Sequence, residues 1–212
     1  MGGVSIIGLG NMARVLGTRA LAGGNSVEVI GRDAVKDAQF AEALGDGATA
    51  GKFGAVPAGD IVILAVPYPG TVEVVQQYGD ALAGKVIVDI SNPFERVGFT
   101  GLVTPRDSSA AEQIAKAAPA SAHVVKAFNT VFGHVLAGRE ADDRPMDVFI
   151  AGDAAEAKAR VSSFIESIGL RPLDTGDLTM AHWLEGMGLV MMRLVIGQAV
   201  QGGFSLGINT FN

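Results

Sequence analysis

Apolar positions in the first half of the chain fall in short β-branched runs separated by stretches with helical spacing. Residues 4–7 and 27–30 read as strands, with a helix over 12–22 between them. A second helix over 34–44 precedes a short third strand at 47–50. Residues 61–66, "IVILAV", form an unbroken apolar run, the pattern of a strand covered on both faces. A helix over 71–82, a strand at 86–90, a helix over 110–118 and a strand at 123–127 continue the alternation. Strands alternating with helices predict a parallel sheet with right-handed crossovers. The expected class is α/β, a Rossmann-like doubly wound sheet.

From Gly133 the pattern changes. Residues 137–145 are charged and loop-like. A strand at 146–153, a helix over 154–169 and a short strand at 170–176 then give one more βαβ-like unit. The last helix, 178–200, precedes a glycine-interrupted tail. This divides the chain into residues 1–133, a nucleotide-binding domain, and 134–212, a small C-terminal part. The stretch 186–200, "GMGLVMMRLVIGQAV", is apolar nearly all round. It is shorter than the roughly 20 residues that span a membrane, and Arg193 and Gln198 interrupt it. Such a helix is buried in its own core or against a partner, so a homodimer is expected.

Composition narrows the chemistry. The 212 residues carry a net charge of -6, so no basic field attracts nucleic acid or an anionic membrane. There is no Cys, which removes disulfides, thiol catalysis and thiolate metal sites. His123, His134 and His182 are scattered, and no metal site is expected. No basic run leads into an apolar leader segment, and a cytoplasmic location is the default expectation.

The turn after the first strand reads Gly8-Leu9-Gly10-Asn11-Met12-Ala13 and opens a helix. In this pattern the first glycine makes a tight turn and the second admits a pyrophosphate close to the backbone. The third position, here Ala13, needs a small residue for helix–strand packing. Helix amides and the helix dipole then favour the phosphates. The second strand ends Gly31-Arg32-Asp33, with Lys36 following. Arg32 stands where an acid would hold a free ribose 2′-OH, and its guanidinium can stack on adenine and fork onto a 2′-phosphate. Lys36 reaches the same place, and Asp33 suits the N-cap of the next helix. These residues favour NADP. Val66, Pro67 and Tyr68 close the fourth strand, and "VDISNPF", residues 88–94, closes the fifth, where ligands gather in open α/β sheets.

At Lys126 to Val131, "KAFNTV", a family resemblance comes into view. Together with "GLGNMA", "GRD", "AVP", "SSAAEQIA", "GLRPLDTGDL" and the ending "GGFSLGINTF", the chain resembles the F420-dependent NADP reductases. The reductase domain of the STEAP metalloreductases shares this nucleotide fold. The resemblance implies NADP(H) and coenzyme F420 as the reacting pair. It also implies a small C-terminal part that helps form the deazaflavin cleft, and subunits paired through their last helices.

Carried over by motif, Leu9, Gly10, Asn11 and Met12 lie along the pyrophosphate, and Gly31, Arg32 and Lys36 surround the 2′-phosphate. Tyr68 and Val72 lie along the cofactor, Asn129, Thr130 and Gly133 border the nicotinamide, and Leu206 touches the deazaflavin. The archaeal pattern has Thr and Ser where this chain has Leu9 and Gly31, so two hydroxyls for the 2′-phosphate are missing. Asn129 replaces a His common in archaeal members.

Hydride transfer between two ring systems asks the protein for stacking, orientation and water exclusion rather than an acid–base pair. Pro67, Tyr68, Phe128, Asn129, Thr130 and Leu206 are expected to line that site. Donors from Asn129, Thr130 or main-chain N–H groups are expected to stabilise negative charge on the deazaflavin. His134 and His182 are possible proton donors with a structural alternative, and Glu185 reads as paired or at a helix start. Met187, Met191 and Met192 at helical spacing read as core. Two other functions stay open: NADPH-dependent reduction of a flavin, quinone or other small acceptor, and a non-catalytic NADP-binding protein.

Overall fold

In the computed structural model, which describes residues 3–138, 145–200 and 203–211, the first half becomes six parallel strands. These are β1 (Gly3–Ile7), β2 (Ser26–Ile30), β3 (Ala48–Ala50), β4 (Ile61–Leu64), β5 (Val86–Asp89) and β6 (His123–Lys126). They alternate with α1 (Asn11–Ala22), α2 (Ala34–Leu44), α3 (Gly70–Tyr78) and α4 (Ala110–Ala117), and a 3-10 turn, Gly79–Leu82, extends α3. After β6 come α5 (Gly133–Gly138), β7 (Asp147–Gly152), α6 (Ala155–Ser167), β8 (Arg171–Asp174) and α7 (Met180–Ile196).

The strand order is β3-β2-β1-β4-β5-β6-β7-β8. The chain builds outward from β1 to β3, returns beside β1 with β4, and then builds the other way. That reversal opens a crevice at the carboxyl ends of β1 and β4, the place where open α/β sheets bind ligands.

Alternation along each strand feeds two cores. Val4 and Ile6 of β1 and Ile61 and Ile63 of β4 face α1, α2 and α6 through Leu16, Phe40 and Phe164. Ile7, Val62 and Leu64 face α3, α4 and α7 through Val75, Ile114 and Ala181. The unbroken run of β4 is therefore covered on both sides, as its composition implies.

Several elements differ from the sequence expectations. The fourth and fifth strands end at Leu64 and Asp89, two residues and one residue early. The expected helix over 71–82 is α3 followed by the 3-10 turn, because the chain reverses at Gly79, whose φ is 48°. A short helix, α5, replaces the start of the expected loop; residues 139–144 of that loop lie outside the described residues. β7 runs antiparallel to β6, pairing Lys126 with Ala151, while β8 runs parallel to β7. The C-terminal residues thus extend the sheet of the N-terminal ones. Among the described residues no helix is long and apolar enough to cross a membrane. α7 buries Leu184, Glu185, Gly188 and Met191 and exposes Trp183 and Val190.

Candidate functional site

Gly8 closes β1 at φ 122°, and its N–H donates to the carbonyl of Ile30 at 2.9 Å. A Cβ there would fall on the Ala65 carbonyl group, with Val66 Cγ1 at 3.2 Å, so only glycine lets the β1 turn lie against the end of β4. Two residues on, Gly10 is the N-cap of α1 and supplies no side-chain cap. A Cβ on Gly10 would meet no atom within 4 Å. Open space therefore lies beside Gly10 at the start of α1, with exposed Asn11 and half-buried Met12 following it, while Ala13 packs into the core. Gly133, at the start of α5, comes up against this turn: a Cβ on it would lie 2.9 Å from Asn11 Nδ2 and 3.0 Å from Met12 Sδ.

Beyond the turn lies a cleft of about 410 Å³ lined by Gly8, Leu9, Gly31, Arg32, Phe53, Val66 and Pro67 among others. The Arg32 guanidinium stands 5.4 Å from the centroid of the Phe53 ring. Phe53, in the connection after β3, carried no signal in the sequence, because nothing local marks a loop aromatic as a partner of residue 32. Asp33 caps α2 by accepting from the N–H groups of Val35 and Lys36. Lys36 is exposed and pairs loosely with Asp33 at 3.8 Å. At the end of β4, Tyr68 donates its hydroxyl to Gln113 of α4 at 2.8 Å. Val72 packs into the core on the α3 side.

The carboxyl end of β6 holds the most constrained part of the site. Lys126 is fully buried and its Nζ donates to Asp89 Oδ2 at 2.7 Å, Ser91 O at 2.6 Å and Glu185 Oε1 at 2.9 Å. Glu185 also accepts from the Ala110 N–H at the start of α4. One ammonium thus ties β5, β6, α4 and α7 together. Burial pulls Lys126 down, but the two carboxylates more than offset it and hold its pKa above the ordinary value. Burial pushes the Glu185 carboxyl up, against the pull of Lys126. Glu185 is paired, as its sequence context implies, whereas the role of Lys126 was not visible there.

After this cluster Phe128 adopts φ 60°, a left-handed conformation costly for an aromatic residue. It turns the chain so that Asn129 and Thr130 follow, both buried. Asn129 donates its amide to Asn92 Oδ1 at 3.1 Å and to Leu184 O at 2.8 Å. Both donors are engaged and the atom left without a partner is Oδ1, so Asn129 offers the site an acceptor, not the expected donor. Thr130 Oγ1 is likewise buried and without a partner. Buried polar atoms rarely stay unsatisfied, and these two precede Gly133, which meets Asn11 of the α1 turn, by only a few residues.

The remaining candidates are spread. His134 is exposed and stacks on Phe132, which in turn meets Phe204 of the tail. His182 uses Nδ1 on the carbonyl of Ser108, a structural contact. Met191 is buried, and Met187 and Leu206 each pack against the cluster of Phe149, Ala151 and Leu184. Leu206 therefore lies on the α7 side of the β7 end.

Residues 3–93 match the family model described as NADP oxidoreductase, coenzyme F420-dependent. The metalloreductase STEAP3 of Rattus norvegicus is 33% identical over 189 residues, 89% of this chain and 37% of that protein. The F420-dependent NADP reductase of Methanocaldococcus jannaschii is 33% identical over 150 residues, 68% of this chain and 66% of that one. The chain thus spans little more than a third of the rat protein and just under two thirds of the archaeal one. A solved structure from Arthrobacter sp. FB24, itself provisionally assigned as an F420-dependent NADP reductase, superposes with a TM-score of 0.80 at 25% identity. It covers 94% of this chain and 96% of that one.

Proposed function

We propose that this chain, whose residues 3–93 match the coenzyme F420-dependent NADP oxidoreductase model, is an NADP-dependent oxidoreductase moving hydride between NADP(H) and coenzyme F420. The observation that carries the cofactor half is the empty approach to Gly10 at the uncapped start of α1. That space suits a pyrophosphate, which the amides of Leu9 to Met12 and the helix dipole would hold. The cleft beside it suits the adenosine end, with Arg32 and Lys36 supplying positive charge to a 2′-phosphate.

When bound, NADP(H) and F420 supply the hydride donor and acceptor themselves. The chain's residues bind, orient and exclude water. Asn129 Oδ1 and Thr130 Oγ1 would offer an acceptor and a hydroxyl to the nicotinamide carboxamide, and Gly133 lets the α1 turn lie close by. Val66, Pro67, Tyr68 and Val72 form the wall along the cofactor, and Leu206 faces the second ring system. Pairing of two subunits through the exposed side of α7 and a cytoplasmic location go with this reading.

A second reading, with a flavin, quinone or other small molecule as acceptor, rests on Asn129, which replaces a His common in archaeal members, and on the STEAP3 likeness over 89% of the chain. Mixing the protein with NADPH and oxidised F420, and separately with FMN or FAD, tests both. Bleaching of the F420 absorbance is the expected result. Bleaching of flavin alone supports the second reading, and NADPH binding with no bleaching overturns both.

A further inference from the structure

The proposed function leaves one buried charge behind the cleft wall without a role. Asp37, one turn into α2, is 2% exposed, and its Oδ1 has no hydrogen-bond donor. A Cβ built on Gly31 would fall on that oxygen and lie 2.9 Å from Leu9 Cδ1. The Asp37 carboxylate therefore fills the place that a side chain at position 31 would take. Gly31, Leu9 and Arg32 all line the cleft. Lys36, next to Asp37 in sequence, points to Asp33 instead, at 3.8 Å.

An acid at the end of the second strand of a dinucleotide-binding sheet selects a free ribose 2′-OH, and cations there select a 2′-phosphate. This chain brings both to one place: exposed cations from the loop and helix surface, and a carboxylate reaching under Gly31 from within α2. We propose that Asp37 is the specificity-determining residue of this cleft, opposing the 2′-phosphate that Arg32 and Lys36 attract, so that the site accepts NAD(H) as well as NADP(H). The inference rests on the reading that the cleft binds a dinucleotide.

A carboxylate buried among Gly31, Leu9 and the β2–α2 corner is poorly screened, so its repulsion of a second negative charge persists at salt concentrations that mask Lys36. A neutral 2′-OH feels no such repulsion. The carboxylate also acts on Tyr78, whose phenol is pushed above its ordinary value by burial, then by Glu28 and Asp37.

The test is calorimetric titration of the full chain and its Asp37→Asn variant with NADP+ and with NAD+. Neutralising the carboxylate is expected to tighten NADP+ about tenfold and leave NAD+ within about twofold, the scale of one like-charge contact in a partly screened interior. Asp37→Ser serves as a second variant, with thermal unfolding to check that each is folded. An unchanged ratio of the two affinities, or an equal shift in both, overturns the inference alone. If neither dinucleotide binds the unsubstituted chain, the dinucleotide reading falls and this inference with it. If both variants are unfolded, the carboxylate is a structural requirement and the inference falls.

Discussion

Glu185, near the start of the last helix, meets Lys126 at the end of the sixth strand at 2.9 Å, and both side chains are sealed from solvent. Asp89 completes the cluster from the fifth strand at 2.7 Å. Two carboxylates around one ammonium leave an excess negative charge inside the protein, and burial raises the Glu185 carboxyl accordingly. The cluster fixes α7 to the sheet where Asn129 also holds it through Leu184 O. The wall of the candidate site and the packing of the last helix therefore rest on the same few bonds.

Removing the ammonium leaves two buried carboxylates facing each other. Lys126→Met is expected to cost about 3–5 kcal/mol, the scale for breaking a buried ion pair from one side. Replacing all three groups, with Asp89→Asn and Glu185→Gln added, should recover a large part of that loss. Urea unfolding midpoints of the single and triple variants check this.

The same cluster sets a pH dependence. The folded-state pKa of Glu185 is raised, so its contribution to stability is fully present below the ordinary value of 4.5 and is lost as pH rises through the folded value. Glu185→Gln does not titrate, so the stability of the original chain relative to this variant should fall as pH climbs from about 4.5 toward neutrality. Lys126 is raised above 10.5, so its contribution holds through that pH and is lost only above it. Thermal midpoints of both proteins across the two pH ranges decide the matter. A flat difference in the acidic range would contradict the Glu185 assignment.

Gly8 and Gly10 sit two residues apart and should respond oppositely to alanine. At Gly8 a methyl group meets the Ala65 carbonyl at a φ of 122°, so Gly8→Ala should destabilise the fold by more than about 2 kcal/mol. At Gly10 the methyl group meets nothing within 4 Å and the backbone is extended. Gly10→Ala should keep stability within about 1 kcal/mol, the scale of a weak N-cap change, yet abolish the stabilisation that added NADPH gives. Thermal shift with and without NADPH separates the two effects.

This glycine turn was legible in the sequence because its demands are local: a strand before it, a helix after it and small residues at fixed spacing. The alternating strands were legible for the same reason, since each apolar run carries its own burial pattern. What could not be read depends on chain reversals far apart. Lys126 finds its partners 37 and 59 residues away, and in sequence it is simply a charged residue ending an apolar strand. Asp37 follows Lys36 on a helix whose first turn looks uniformly exposed, and only the missing side chain of Gly31 makes room for it. The antiparallel run of β7 rests on its pairing with β6, Lys126 against Ala151, which no repeating pattern in the sequence announces.

Thr130 offers a cleaner probe of the proposed nicotinamide end than Asn129, because Asn129 also bonds α7. Its hydroxyl is buried with no partner in the protein, so Thr130→Val removes an unsatisfied group of similar shape. Stability should stay level or rise by up to about 1 kcal/mol. Hydride transfer with NADPH should fall about tenfold if the hydroxyl orients the carboxamide. Unfolding midpoints and initial rates measured on the same preparation test the split; a parallel loss of both would mean that Thr130 is structural.

The two cations at the proposed adenosine end should contribute unequally. Arg32 lines the cleft with its guanidinium over Phe53, whereas Lys36 is exposed and shared with Asp33. A planar guanidinium can bond a phosphate through two parallel donors, and a charged hydrogen bond contributes about 1.5–3 kcal/mol. Arg32→Ala should therefore weaken NADPH by about tenfold or more and NADH much less. Lys36→Ala, which removes only a screened surface charge, should cost NADPH about two- to fivefold, and less as salt is raised. Fluorescence titration of both dinucleotides at two ionic strengths measures these terms, and an equal loss of NADPH and NADH in Arg32→Ala would remove the 2′-phosphate from its role.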